Sequence, residues 1–155
     1  MPRTPIRVQR LLYGLRRWWA AQSLPLRQIE VRARDRSDAA VLEAFVGRVR
    51  VGRLVATHAS RLPAEAWVNM LPKQHELPTY WISECFVDGL FRNRGVGRRM
   101  VAQLVAMAFA HHQDALLVGW ANSTQARQFA ARLGFNVRDE AAYASLGTVA
   151  GRLLA

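Results

Sequence analysis

The residues best suited to chemistry lie in one short stretch, Arg92-Asn93-Arg94-Gly95-Val96-Gly97-Arg98-Arg99. Two glycines flank one small residue, so the backbone there can take a positive φ and approach a ligand closely. The stretch follows an apolar run and opens a long apolar segment, an order that reads as strand, tight turn and helix. The first turn of a helix leaves N–H groups without partners and is the positive end of the helix dipole. That is a site for an anion, above all a phosphate or pyrophosphate. Four arginines, Arg92, Arg94, Arg98 and Arg99, add full charge. It is not a P-loop, since no lysine follows Gly97. Nor is it the dinucleotide fingerprint Gly-x-Gly-x-x-Gly, since position 100 is Met.

The flanking elements must hold this turn. Tyr80 to Val87 is a mostly apolar central strand. After the turn, Met100, Val101, Leu104, Val105 and Ala108 give a helix with a wide apolar face. Ala115 to Trp120 reads as a short buried strand. Ser123 to Leu133 reads as a helix with Ala126, Phe129, Ala130 and Leu133 on one face, Gly134 as its C-cap, and a strand beginning at Phe135 to Arg138. Upstream, Gln28 to Arg34 alternates as a first strand. Val41 to Val46 and Val49 to Thr57 form a β-hairpin around Gly47-Arg48. Gly52 inside the second arm implies a bulge or a close backbone neighbour. Ser60 to Thr79, with Pro63, Pro72 and Pro78, is a long loop. The order is β-β-β-β-α-β-α-β, and the strand–helix–strand units imply parallel pairing in the C-terminal half.

Residues Thr4 to Ser23 read as a basic amphipathic helix, with Val8, Leu11, Leu12, Leu15, Trp18 and Trp19 on one face. Arginines interrupt what a signal peptide would keep apolar. That face packs on the domain or on a second copy in a homodimer, or it meets an anionic surface or nucleic acid. The net charge of +11 favours acidic partners and argues against polycationic acceptors. Genome base composition is the alternative source of that arginine excess, because Lys73 is the only lysine. A lone cysteine, Cys85, leaves no internal disulfide and suits a reducing cytoplasm. The histidines at 58, 75, 111 and 112 have no metal-ligand spacing, so no metal is expected. No apolar run reaches the ~18 residues of a membrane span.

With its surroundings the glycine turn resembles the pyrophosphate loop of the GNAT superfamily of N-acetyltransferases. The residues that carry the resemblance are Phe86-Val87-Asp88, the loop Arg92 to Gly97 in the pattern Arg-x-x-Gly-x-Gly, then Asn122, Ala126 and Leu133-Gly134-Phe135. They span Tyr80 to Arg138; the first half matches in outline only. The resemblance implies an α/β (α+β) GNAT fold over residues 25–155, with a mixed central sheet of six to seven strands and flanking helices behind a helix at 1–24. It implies a cytoplasmic acyltransferase that moves an acetyl or other acyl group from acetyl-CoA to an amine acceptor. Backbone groups at Cys85, Phe86 and Val87 would pair with the pantetheine arm. Arg92, Asn93, Arg94, Gly95, Val96, Gly97 and Arg98 would hold the pyrophosphate, and Asn122 would touch the cofactor.

Two departures matter. The positions where the family usually carries a general acid and a base are Ala130 and Leu117. Glu84, beside the cofactor strand, is then the first candidate for a relocated base, ahead of His58, His75 and Tyr143. For Glu84 the bland alternative is a paired structural carboxylate; for Cys85 as an acyl carrier it is an ordinary core thiol. The family also inserts helices between its first two strands, where only Arg34 to Ala40 stand here. A non-catalytic acyl-CoA-binding regulatory module therefore competes with the enzyme, as does a basic nucleic-acid or membrane-surface binder.

Overall fold

The computed structural model describes residues 28–36, 38–59 and 77–155. The amphipathic segment expected at 4–23, and most of the loop expected at 60–79, lie outside them. Among the described residues seven strands form one sheet in the order β1-β2-β3-β4-β5-β7-β6. They are β1 (Ile29–Asp35), β2 (Ala39–Val46), β3 (Val49–Ala59), β4 (Thr79–Val87), β5 (Leu116–Trp120), β6 (Asn136–Arg138) and β7 (Ala141–Ser145). Among the described residues three α-helices accompany them: α1 (Val96–His111), α2 (Thr124–Arg132) and α3 (Leu146–Leu154). The mixed sheet with flanking helices is the fold that the sequence implies.

Strands β1 to β4 pair antiparallel, and β5 lies parallel to β4. Along β2 the alternation is complete: Ala40, Leu42, Ala44 and Val46 are buried while their neighbours are half-exposed. That period of two sets one face of the sheet against α1, which supplies Met100, Val101, Leu104, Val105 and Ala108 to the same core. Gly47 turns the β2–β3 hairpin at φ 61. Gly52 proves to be both things the sequence allows: the pairing slips between Ala44 and Phe45, and α1 packs directly over it.

Helix ends follow their caps. Ser123 accepts from the Ala126 N–H and Ser145 from the Thr148 N–H, each at the N-cap of the helix it starts. Gly134, at φ 86, lies just past α2 in the left-handed region. Strand β7 and helix α3 go beyond the elements read from the sequence. Ala141–Ser145 contains no β-branched residue, and its strand form comes from insertion between β5 and β6. Among the described residues no helix is long and apolar enough to cross a membrane.

Candidate cofactor site

The site begins where β4 and β5 part. Their parallel register holds for Thr79↔Leu116, Tyr80↔Leu117, Trp81↔Val118 and Ile82↔Gly119. Beyond Ile82 the two strands have no pairing, and β5 continues against β7 alone. A bulge sits at this fork, because the β3–β4 pairing skips Ser83 between Val55 and Ala56. Bulges bend a strand and increase its twist. Ser83 Oγ donates to the Val55 carbonyl at 3.4 Å.

The residues past the fork have one edge without a strand partner. The Asp88 N–H donates to Val51 O at 2.8 Å, in continuation of the β3–β4 register. Antiparallel strands alternate, so Phe86 and Glu84 also turn their backbone groups toward β3. Cys85 and Val87 therefore turn theirs toward the gap left by β5. Of the three strand positions assigned to the cofactor arm from sequence, two present backbone N–H and C=O to the fork. Phe86 presents its exposed ring on the other side of the sheet, opposite Arg53.

At the top of the fork the chain makes the expected turn. The Asp88 side chain accepts from the Leu90 N–H at 3.1 Å and caps a short 3-10 turn, Gly89–Phe91. Asn93 has φ 59 and Gly95 φ 80. Gly95 is the N-cap of α1, without a side-chain cap and with no acidic residue in the first turn. The N–H groups of Val96, Gly97 and Arg98 thus have no side-chain cap, an arrangement that can hold an anion. The two glycines serve different ends. A Cβ at Gly95 would meet nothing within 4 Å, so this residue is there for its φ. A Cβ at Gly97 would come to 3.0 Å from Cζ of Phe129, so this one lets α2 pack against α1.

The four arginines also separate. Arg92 Nε donates to Val87 O at 3.1 Å and its Nη1 to Gln125 Oε1 at 3.3 Å, so it spans the fork's mouth from β4 to α2. Arg98 Nη2 donates to the carbonyls of Arg152 and Leu153, closing the C-terminus of α3. Arg99 Nη1 donates to Ile29 O at 3.0 Å, tying α1 to the edge strand. Arg94 is exposed beside the turn, and Asn122 is exposed between β5 and α2. The guanidinium of Arg98 therefore works in the fold.

Glu84 is paired, its Oε2 2.9 Å from Nη1 of Arg53, and both side chains are 40% exposed. It sits one residue past the bulge, on the face opposite α1. Leu117 is fully buried on the α1 side and Ala130 is part-buried on α2, so neither position offers a proton carrier. Tyr143 lies on the opposite face, packed with Leu116 and Val118 beside Trp81. His75 is outside the described residues. Cys85 is exposed along the open edge, yet protein atoms crowd its thiol and, with the charge of Glu84 second, push its pKa up to about 11. The thiol is then neutral at pH 7 and a poor nucleophile. Iodoacetamide labelling of Cys85 is expected to be slow at pH 7.5 and to rise steeply as the pH nears 11. Rapid labelling at neutral pH would contradict this arrangement.

One convergence has no signal in the sequence. His58, Tyr80, His111 and His112, from β3, β4 and α1, meet at the far end of the sheet. Among the described residues, no group of three or more His, Cys, Asp or Glu is placed to hold a metal ion.

Residues 12–135 match the model of the Acetyltransferase (GNAT) family. No curated protein sequence matches the chain. Among solved structures, one described as a bacterial toxin is similar at TM-score 0.60 and 16% identity, over 76% of this chain and 73% of that one. A point mutant of the AtaT toxin bound to the C-terminus of the antitoxin AtaR is similar at TM-score 0.55 and 13% identity, over 79% and 96%. A putative acetyltransferase of the GNAT family from Desulfovibrio desulfuricans is similar at TM-score 0.54 and 13% identity, over 70% and 69%. At these identities the likeness is one of fold.

Proposed function

The chain belongs to the GNAT family of acetyltransferases, and from that premise we propose that it transfers an acetyl group from acetyl-CoA to an amine acceptor by direct attack. The observation that carries this reading is the fork itself. Past Ile82 the β4 edge has lost β5, and the uncapped start of α1 stands at the open end. A pantetheine arm needs amide partners along its length, and a diphosphate needs N–H donors. The backbone of Cys85 and Val87 fits the first need. The N–H groups from Asn93 to Arg98 fit the second, with Arg92, Arg94 and Asn122 at the rim.

Acetyl-CoA supplies an activated thioester, whose thiolate can leave without strong acid help because an ordinary thiol has a pKa near ~8.5. In the transfer, the C–N bond forms, the C–S bond breaks, and the amine loses one proton. The Val87 N–H, turned toward the gap, is assigned as the donor to the developing oxyanion. Glu84 is assigned as the base that takes the amine proton, directly or through water. Its partner Arg53 holds the carboxylate in place at the fork. The apolar residues at 117 and 130 leave both tasks to β4.

The test is release of free CoA thiol from acetyl-CoA across a panel of amines and peptides. Turnover with at least one acceptor is expected, slowed about a hundredfold by Glu84→Gln. An unchanged rate in that variant would remove Glu84 from the chemistry. Tight acetyl-CoA binding with no turnover on any acceptor would favour a regulatory acyl-CoA-binding module instead.

A further inference from the structure

At the opposite end of α1 from the glycine turn lies a cavity of about 620 Å³. The 16 residues of α1, at ~1.5 Å per residue, put it roughly 24 Å from the anion site. Its volume falls within the ~300–1,000 Å³ usual for small-ligand sites. Its walls come from the β1–β2 turn, the end of β3, the start of β4 and the end of α1.

Three rings make one corner of it. His58 and His112 stack at 5.5 Å with 19° between their planes. Tyr80 stands edge-on to both, at 5.4 Å from His58 and 5.9 Å from His112. Carboxylates make the other side. Asp35 Oδ2 lies 3.6 Å from Nε2 of His111, and Asp38 follows in the turn. Among the described residues of the lining, Arg36 is the one full positive charge. Two carboxylates outweigh it, and the carbonyl end of α1 adds negative potential on the same side.

Tyr80 is only 8% exposed, and its hydroxyl has no hydrogen-bond partner among the described residues. A hydroxyl without a partner on a side chain this buried calls for an explanation. Burial and the charge of Asp35 raise the Tyr80 pKa, keeping the phenol neutral and able to accept a hydrogen bond. The lining is thus rich in acceptors: a phenol oxygen, imidazole nitrogens and two carboxylates. Those groups want a ligand that donates several hydrogen bonds, and the two carboxylates favour one that carries positive charge.

We propose that this cavity is a second ligand site, separate from the cofactor fork, that takes a compact organic cation such as a primary ammonium or a guanidinium. Its occupant stacks on the His58–Tyr80–His112 corner, donates to the Tyr80 hydroxyl and pairs with Asp35 and Asp38. This does not rest on the transferase reading, since no residue is shared with the fork.

Benzylammonium, benzyl alcohol and benzoate have nearly one shape and three charges, so they separate the alternatives. Each would be titrated into the full chain with CoA present to occupy the cofactor site. Calorimetry and the imidazole C–H signals of His58 and His112 give the readout. Benzylammonium is expected to shift both histidines saturably and to bind at least tenfold more tightly than the alcohol. The double variant Asp35→Asn, Asp38→Asn is expected to lose at least tenfold. Asp35 is exposed, so that change leaves the fold intact. Tyr80→Phe is expected to weaken binding while holding or raising the melting temperature, because it deletes an unpaired hydroxyl. No saturable shift with benzylammonium, equal binding of the alcohol, or tighter binding of benzoate would each overturn the proposal.

Discussion

Gly95→Val is expected to weaken CoA binding at least a hundredfold, while Gly95→Asn keeps most of the affinity. The reason is conformational. Gly95 sits at φ 80 immediately before α1, and a Cβ there would meet nothing within 4 Å. Space is therefore not the obstacle. A β-branched residue in the left-handed region costs on the order of 1–3 kcal/mol, whereas asparagine visits that region readily. The valine variant relieves its strain by returning φ to negative values. That rotation swings the following peptide and turns the N–H groups of Val96 and Gly97 off the anion. Charge-assisted hydrogen bonds contribute ~1.5–3 kcal/mol each, so two of them account for the expected loss. Calorimetry with CoA measures it, and the melting temperature should move little because the strain is released in an exposed turn where the new side chain presses on no neighbour. Undiminished CoA binding by Gly95→Val would show that the turn does not grip the diphosphate.

The two glycines also show what a sequence can and cannot say. Their spacing, the apolar strand before them and the apolar helix after them were legible, because each leaves a periodic trace in the chain. That both were needed could be read; that they are needed for different reasons could not. Gly97 faces Phe129, a residue far along the chain, and only the packing of α2 on α1 reveals the contact. Arg98 and Arg99 tell the same story. By sequence they are simply positive charge near the turn, yet their guanidinium groups serve carbonyls on α3 and β1. Helix α3 was hidden by two glycines in nine residues, and β7 by a composition that favours helix. Tertiary position overrode local preference in both. The cavity corner was beyond reach for a plainer reason: His58, Tyr80 and His112 share no local spacing and are brought together by the sheet alone.

Gly52 ties stability to the site. In β3 it lies under the first turns of α1, and a Cβ there would stand 3.0 Å from Met100 Cε, 3.1 Å from Val96 Cγ1 and 3.2 Å from the Phe86 carbonyl oxygen. The methionine tip can move aside. The Phe86 oxygen belongs to the backbone of β4, whose groups pair back onto β3 at this point, and it cannot. The valine methyls also press on Val96 Cγ1, so Gly52→Val lifts the start of α1 off the sheet. Overpacking of this kind costs ~1–3 kcal/mol, a fall of roughly 2–12 °C in melting temperature for a domain of this size. The same displacement carries the N–H groups of Val96 and Gly97 away from the fork, so CoA affinity should fall with stability. Gly52→Ala should show a smaller version of both losses, and adding Val96→Ala should recover part of each by opening space at the 3.1 Å contact. This coupling sets the variant apart from Gly95→Val, where affinity is lost and stability kept. A Gly52→Val protein that melts normally would mean that α1 does not rest on β3 at this point. One that melts early yet binds CoA at full strength would mean that the anion is held by something other than the start of that helix.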